Sequence, residues 1–155
     1  MQNLPILLLS YIVCVNVGVH SHNLQKRRGI PASAYRNRRC AGKLFARGKI
    51  PANIPAIAIV GSRKPTRYGI EAAEKIVRGL SELTDDILIV SGCAVGIDTV
   101  AHKTALAYGL KTIGVLGSGI DRAAFFPQEN WGLAEKITDN GGAVISEYPE
   151  GAPGL

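Results

Sequence analysis

Three short apolar runs, each stopped by glycine or serine and followed by a helical pattern, constrain this chain more than any other feature. Ile57-Ala58-Ile59-Val60 ends at Gly61-Ser62-Arg63-Lys64, Ile87-Leu88-Ile89-Val90 at Ser91-Gly92-Cys93-Ala94-Val95-Gly96, and Thr112-Ile113-Gly114-Val115-Leu116 at Gly117-Ser118-Gly119. Runs that are apolar throughout, without alternation, are those of parallel strands covered on both faces. After the first loop, past Pro65 and Tyr68-Gly69, residues Ile70, Ala73, Val77, Leu80 and Leu83 recur at helical spacing, with Glu71, Glu74, Lys75 and Arg78 on the other side. A second helix is expected from Ile97 to Tyr108, closed by Gly109. Ile120 to Phe126 read as irregular, Pro127 to Thr138 as a short helix stopped by Asn140-Gly141-Gly142, and Ala143-Val144-Ile145 as the start of a fourth strand. This is the order of βα units, an α/β fold with a mostly parallel sheet. Right-handed crossovers carry all three loops to the C-terminal edge of the strands, where they converge on one crevice.

That edge offers Gly61, Ser62, Arg63, Lys64, Ser91, Gly92, Gly96, Gly117, Ser118 and Gly119 as candidate ligands of an oxygen-rich anion. Glycines allow close backbone approach, serines add donors, and a helix N-terminus beside the Arg63 guanidinium favours negative charge. Phosphate fits such a set, although the first octet also fits an ordinary βα turn with solvated cations. The Gly-x-x-x-x-Gly-Lys-Ser/Thr loop of Mg-nucleotide hydrolases is missing, and Gly117-Ser118-Gly119 is only a lone Gly-x-Gly rather than a dinucleotide fingerprint. No cofactor is therefore expected. Asp98 and His102, one helical turn apart, suit either an acid/base pair or a structural pair, with Asp98 on the helix dipole and His102 packed behind it. Trp131 and Tyr148 suit either base stacking or core packing. Glu147 is a possible polar orienter at the end of the fourth strand.

At 155 residues the chain holds one domain with a real core. Its net charge of +6 is unevenly placed, since residues 1 to 54 hold nine Lys or Arg and no acid, whereas residues 55 to 155 hold nine against twelve Asp or Glu. The globular part is thus mildly acidic, and a nucleic-acid face on it has to be a local patch. Cys14, Cys40 and Cys93 are odd in number and lack metal-ligand spacing. Cys93, between Gly92 and Ala94, reads as a buried thiol rather than a nucleophile, in keeping with a reducing cytoplasmic setting.

Leu4 to Val19 is an almost uncharged run, shorter than the roughly 20 residues that span a bilayer. Its first cation is Lys26, so it lacks the positive start of a secretory signal, though Val17-Gly18-Val19 resemble a cleavage site. A helix of a small N-terminal module is the expectation, with no stable membrane insertion. Lys26-Arg27-Arg28 and Arg36-Asn37-Arg38-Arg39 mark residues 20 to 42 as a solvated basic arm, or as a segment that touches nucleic acid. Residues 1 to 42 are accordingly set apart as a poorly ordered extension and 43 to 155 as the domain, entered through a linker, Lys43-Leu44-Phe45-Ala46-Arg47-Gly48.

Four motifs in order, Ala58-Ile59-Val60-Gly61-Ser62-Arg63, Ser91-Gly92-Cys93-Ala94-Val95-Gly96-Ile97-Asp98 with Ala101-His102, Val115-Leu116-Gly117-Ser118-Gly119-Ile120-Asp121 and Ser146-Glu147-Tyr148-Pro149, closely resemble the DNA-processing protein A (DprA/Smf) family. The resemblance covers about residues 43 to 155. It implies a three-layer Rossmann-like domain and a cytoplasmic, non-catalytic protein of natural transformation, homodimeric in intact members, that binds and protects incoming single-stranded DNA and helps load the recombinase RecA. In the family the Gly-Ser-Arg loop holds the DNA backbone in a basic pocket, which carries over to Gly61, Ser62 and Arg63.

Family members continue past Ser-Glu-Tyr-Pro into Phe-Pro-x-Arg-Asn-Arg and further strands and helices, so the resemblance implies a sheet and a pocket incomplete at the C-terminal end of this sequence. Cys93, Val95 and Phe126-Pro127 also depart from the usual family residues. The competing class is an enzyme of related fold, a nucleoside-monophosphate phosphoribohydrolase. Such enzymes carry Pro-Gly-Gly-x-Gly-Thr-x-x-Glu, which this sequence lacks.

Overall fold

The computed structural model describes residues 12–13 (as backbone), 44–51 and 54–154. They form one six-stranded sheet in the order β1-β3-β4-β5-β6-β2. Its strands are β1 (Ile12–Val13), β2 (Phe45–Gly48), β3 (Ala56–Ile59), β4 (Leu88–Gly92), β5 (Lys111–Leu116) and β6 (Ala143–Ser146). The four central strands run parallel and in chain order, with Ile57 opposite Ile89, Val90 opposite Ile113 and Val115 opposite Ile145. The edge strands β1 and β2 are antiparallel to β3 and β6. The expected α/β architecture with a mostly parallel sheet is present.

Helix α1 (Arg67–Leu83) starts just after Pro65, where the Thr66 hydroxyl accepts the Gly69 N–H at 3.2 Å and satisfies a donor the first turn leaves free. It buries Ala73 and Val77 against Ile59 and Ile89 of the sheet and Ala101 and Ala105 of α2 (Ile97–Ala107). Removing a side chain such as Ile89 from water is worth roughly 1.5–3 kcal/mol, so this cluster is the main anchor of the first two βα units. Gly109, at a φ of 73°, ends α2. After β5, the chain passes through an irregular segment and a 3-10 turn, Gln128–Asn130, into α3 (Trp131–Asp139). There Ala134 packs with Val144, Leu116 and Phe125.

Because consecutive strands are neighbours, every right-handed crossover steps the same way, and α1, α2 and α3 share one face of the sheet. On the opposite face Ala58, Leu88, Val90, Ile113 and Ala143 pack with Ile50 and Ile54. The described residues thus supply one helical layer, and a second layer of the expected three is not among them.

Three local readings change. The 43–48 linker is in fact strand β2 from Phe45 on, pairing Phe45 with Ser146 and Gly48 with Ala143, and its burial alternates, Phe45 and Arg47 half-buried and Ala46 exposed. The helix expected in Leu4 to Val19 is replaced at Ile12–Val13 by strand pairing with Ile59 and Ala58. The rest of that run, and the basic arm to residue 42, lie outside the described residues. Strand β3 stops at Ile59, leaving Val60 exposed rather than covered on both faces.

Candidate functional site

Gly61 to Lys64 leave β3 directly against the first turn of α2. The Ile97 N–H donates to the Ser62 carbonyl at 3.1 Å. Gly96 lies alongside at a φ of 91°, so close to the Ser62 carbonyl that a Cβ there would collide with it. Gly61 is tight for the same reason, since a side chain would meet Ile97 at 2.8 Å. These glycines serve loop-to-loop packing. Ser62, Arg63 and Lys64 are exposed, and the Lys64 N–H closes on the Ser62 Oγ at 3.0 Å, which leaves both cationic side chains free of that turn.

The crevice at this edge has a volume of about 220 Å³ and lies between the ends of β4 and β5. Of the candidate residues Arg63, Gly92, Gly117 and Ser118 line it, together with Asp98 and the exposed ring of Phe126. Gly61, Ser62, Lys64, Ser91, Gly96 and Gly119 do not line it. Ser91 is buried and its hydroxyl reaches the Ile59 carbonyl, which ties β4 to β3. Gly119 is buried and donates its N–H to the Ala152 carbonyl at 2.9 Å. Ser118 is buried as well, its carbonyl accepting from the Ser146 hydroxyl at 2.6 Å. The loops do meet at one crevice, but their three serines, Ser62, Ser91 and Ser118, are used in holding it together.

Asp98 is the crevice residue that spacing alone conceals. Its side chain is not packed onto His102 but turned to the strand ends, filling the space that a Gly92 side chain would need. The carboxyl sits among the Gly61 and Ala94 backbone amides, the Ser91 hydroxyl, which itself donates to the Ile59 carbonyl, and the Arg63 guanidinium, and these favour its charged form. Asp98 is only 8% exposed, and burial raises its carboxyl above the usual range against the lowering effect of these donors and of the Arg63 guanidinium.

His102 belongs to the core. Its Nε2 lies 2.7 Å from the Gly92 carbonyl and its Nδ1 2.7 Å from the Thr112 hydroxyl, so the ring bridges β4 and β5. Burial pushes it down to about 4, so near neutrality it is uncharged, with Nε2 donating to the Gly92 carbonyl and Nδ1 competing for the one Thr112 hydroxyl proton with the Ile89 carbonyl, 2.8 Å from that hydroxyl. Asp98 and His102 therefore make no acid/base pair. The Cys93 thiol, pushed up to about 12 by burial and then by the Asp98 charge, is an inert wall of the crevice.

Trp131 is half-buried, edge-on to Phe125 at 5.4 Å, with the Arg47 guanidinium over its ring at 4.2 Å. It is packed rather than free to stack on a base. Glu147 and Tyr148 are exposed just beyond β6 and do not line the crevice. The following turn is drawn in by Asp121, whose carboxylate accepts the Gly151 N–H at 2.7 Å and the Ala124 N–H at 3.1 Å. This brings Gly154 against Phe126 and into the crevice wall.

The geometry can therefore hold a small anionic group between one guanidinium and glycine backbone, with an aromatic ring and a buried carboxyl at its margins. Among the described residues no three His, Cys, Asp or Glu are grouped to hold a metal ion, and no helix is long and apolar enough to cross a membrane.

Comparison with known proteins places this crevice in context. A profile described as DNA recombination-mediator protein A matches residues 25–154, beginning inside the basic arm rather than at residue 43. The chain is 42% identical over 109 residues to the DNA processing protein DprA of Streptococcus pneumoniae, which is 70% of this chain and 36% of that protein. It is 37% identical over 115 residues to protein Smf of Escherichia coli, covering 74% of this chain and 30% of the relative. The chain spans about a third of the length of these curated relatives. The crystal structure of S. pneumoniae DprA matches with a TM-score of 0.59 at 37% identity, over 72% of this chain and 38% of that one. DNA processing protein A from Helicobacter pylori, whose structure concerns its single-stranded DNA binding mode, matches with a TM-score of 0.63 at 27% identity, over 83% and 57%. By sequence profile and by fold, the chain belongs to the DNA recombination-mediator protein A family, the DprA/Smf family.

Proposed function

We propose that the crevice at the C-terminal edge of β4 and β5 holds a backbone phosphate of single-stranded DNA, and that the chain acts in DNA processing during natural transformation. The observation that supports this most is the placement of Arg63, exposed on a turn clamped to α2, beside the open backbone of Gly92 and Gly117. A guanidinium fork complements phosphate oxygens and glycines let a ligand approach the backbone closely, and a lone cationic contact of this kind is sequence-independent. Of the ten residues proposed for the site, Arg63, Gly92 and Gly117 face the ligand, with Ser118 buried in the wall behind them. Lys64 adds charge from the rim, and Gly61, Ser62, Ser91, Gly96 and Gly119 act by shaping the loops. On this reading the protein is a cytoplasmic binding protein without catalysis that protects single-stranded DNA and helps load RecA, as a homodimer in intact family members.

The test is the affinity for a fluorescent oligo-dT and its dependence on salt, for the wild type and Arg63→Ala. Loss of one phosphate contact should weaken binding several-fold and reduce the salt slope by roughly 0.7 for a single strand. Unchanged affinity and slope would overturn the assignment of Arg63. Robust release of ribose 5-phosphate from nucleoside monophosphates would instead favour a phosphoribohydrolase.

A further inference from the structure

We propose that Arg47, Arg122 and Trp131 form a second oxyanion site beside the crevice, and that it takes a further backbone phosphate of the same DNA strand. The identity of the ligand rests on the phosphate reading above, whereas the site stands on its own geometry.

Three elements bring these side chains together. Trp131 opens α3, and a crossover helix begins at the edge where the strand before it ends, so the indole lies at the same C-terminal edge as the crevice. Phe125 holds the ring edge-on at 5.4 Å. Arg47 reaches it from β2, its guanidinium 4.2 Å from the ring centre, and Arg122 from the β5–α3 loop at 5.9 Å. The Arg122 backbone is itself held, since its carbonyl accepts the Gln128 side-chain amide at 2.7 Å. Stacking on the indole uses the face of the Arg47 guanidinium and leaves the donors at its rim unanswered. Arg47 Nε and Nη2 and Trp131 Nε1 are all buried and unpartnered among the described residues. Nε and Nη2 form one edge of the fork, the edge that grips a carboxylate or phosphate in two parallel bonds.

The charge at this place is uncompensated as well. All twelve Asp and Glu of the sequence lie among the described residues, yet the ion pairs there are Arg67–Glu71 and Arg78–Glu82, both on α1. Two guanidiniums drawn to one ring repel each other, and buried donors left unmet are costly. An anion with several oxygens answers both. Position favours a phosphate of the bound strand over an acidic peptide, because Phe126 and Pro127, which line the crevice, lie between Arg122 and Trp131 in the chain. Arg63 follows β3 and Arg47 lies on β2, four strand spacings away, or about 19 Å at about 4.8 Å each. A strand with a phosphate about every 3.4 Å covers that span in about six nucleotides. Arg122 is exposed and Arg47 and Trp131 are half-buried, so the phosphate meets Arg122 first and the covered edge of Arg47 turns out to it.

Trp131 is the only tryptophan in the sequence, so its single indole N–H resonance reports this site alone. The full 155-residue chain is titrated with a fluorescent dT dodecamer, with anisotropy measuring binding and the indole N–H shift measuring the site. In the wild type both should respond together. Arg122→Ala should bind several-fold more weakly and lower the salt slope by roughly 0.7, and Arg63→Ala with Arg122→Ala by roughly twice that. Arg47→Met keeps an apolar contact with the ring and removes the unmet donors, so it should weaken binding while the melting temperature stays level or rises. A lower melting temperature with unchanged affinity would instead make Arg47 purely structural and overturn the proposal. Binding by anisotropy with a stationary indole N–H would refute the second site and leave the DNA reading intact. A poly-glutamate peptide that shifts the indole N–H at lower concentration than the dodecamer does would show that the occupant is an acidic protein, against the proposal. Should the dodecamer fail to bind at all, the DNA reading falls, and inorganic pyrophosphate decides the site: an indole shift that Arg122→Ala abolishes upholds an oxyanion site, and no shift removes it.

Discussion

His102 shows how a residue that suggests chemistry in one dimension becomes structural in three. Its ring joins the Gly92 carbonyl to the Thr112 hydroxyl and sits fully inside the sheet–helix interface, where a charged imidazolium would be unsolvated. The consequence for stability has a definite sign. The folded pKa, about 4, lies below the 6.5 of the exposed side chain, so the unfolded chain binds the proton first. The stabilisation is therefore complete above pH 6.5 and is lost as pH falls toward 4, at about 1.4 kcal/mol per pH unit and roughly 3 kcal/mol in all. Asp98 acts oppositely: its raised carboxyl takes its proton sooner in the folded chain, so its burial penalty is relieved as pH falls. Denaturant midpoints of wild type and His102→Gln between pH 7 and 4 separate the two contributions. The variant should show the shallower decline, and equal slopes would mean that His102 carries no linkage.

At the scale of elements, the clamp between the β3–α1 turn and the start of α2 fixes the backbone from which Arg63 projects. Gly96 is the point of closest approach, because its φ of 91° and its contact with the Ser62 carbonyl both exclude a side chain. Gly96→Ala should destabilise the fold by about 1–3 kcal/mol, read as a lower melting temperature, and should weaken oligo-dT binding beyond the effect on the folded fraction. An alanine variant with wild-type stability would show that the two loops separate at little cost. Much of this was legible beforehand. Unbroken runs such as Ile87–Val90, the helical spacing of Ala73 and Val77, and the glycine stops are local signals, and they locate β3 to β6, α1 and α2. Strand β2 escaped because Arg47 and Gly48 look like loop residues and the pairing partner, β6, is far away in sequence. Arg47 turns inward onto Trp131, with its Nε and Nη2 buried and unpartnered among the described residues, an arrangement that no periodicity announces. In the crevice, Arg63, Gly92, Gly117 and Ser118 were legible as ends of strands. The place of Asp98 in the crevice wall was not, since a helix start with an acid in its first turn has an adequate local explanation.

Across the whole molecule, strands that follow one another in chain order place each successive loop beside the last along a single edge. The crevice is accordingly built from loops carried on paired neighbouring strands, with further contacts between the loops themselves. Its outer wall depends on Asp121, which holds the Gly151 amide across an exposed turn and so allows the Gly119 N–H to reach the Ala152 carbonyl. Those donors keep the Asp121 carboxyl below its usual range, the Gly151 amide foremost, so the tie is in place above the ordinary carboxylate pKa and is lost only as pH falls through the lowered folded value. Asp121→Ala should release residues 149 to 154 from the Gly117–Asp121 loop without reaching the central strands. Amide exchange separates local from global opening. The buried Gly119 amide should then exchange on the order of ten times faster than in the wild type, while the Ile89 amide in the core of β4 keeps its protection. Equal acceleration at both amides would mean that Asp121 supports the fold as a whole, and no acceleration at Gly119 would mean that the wall is held by the packing of Gly154 on Phe126 instead.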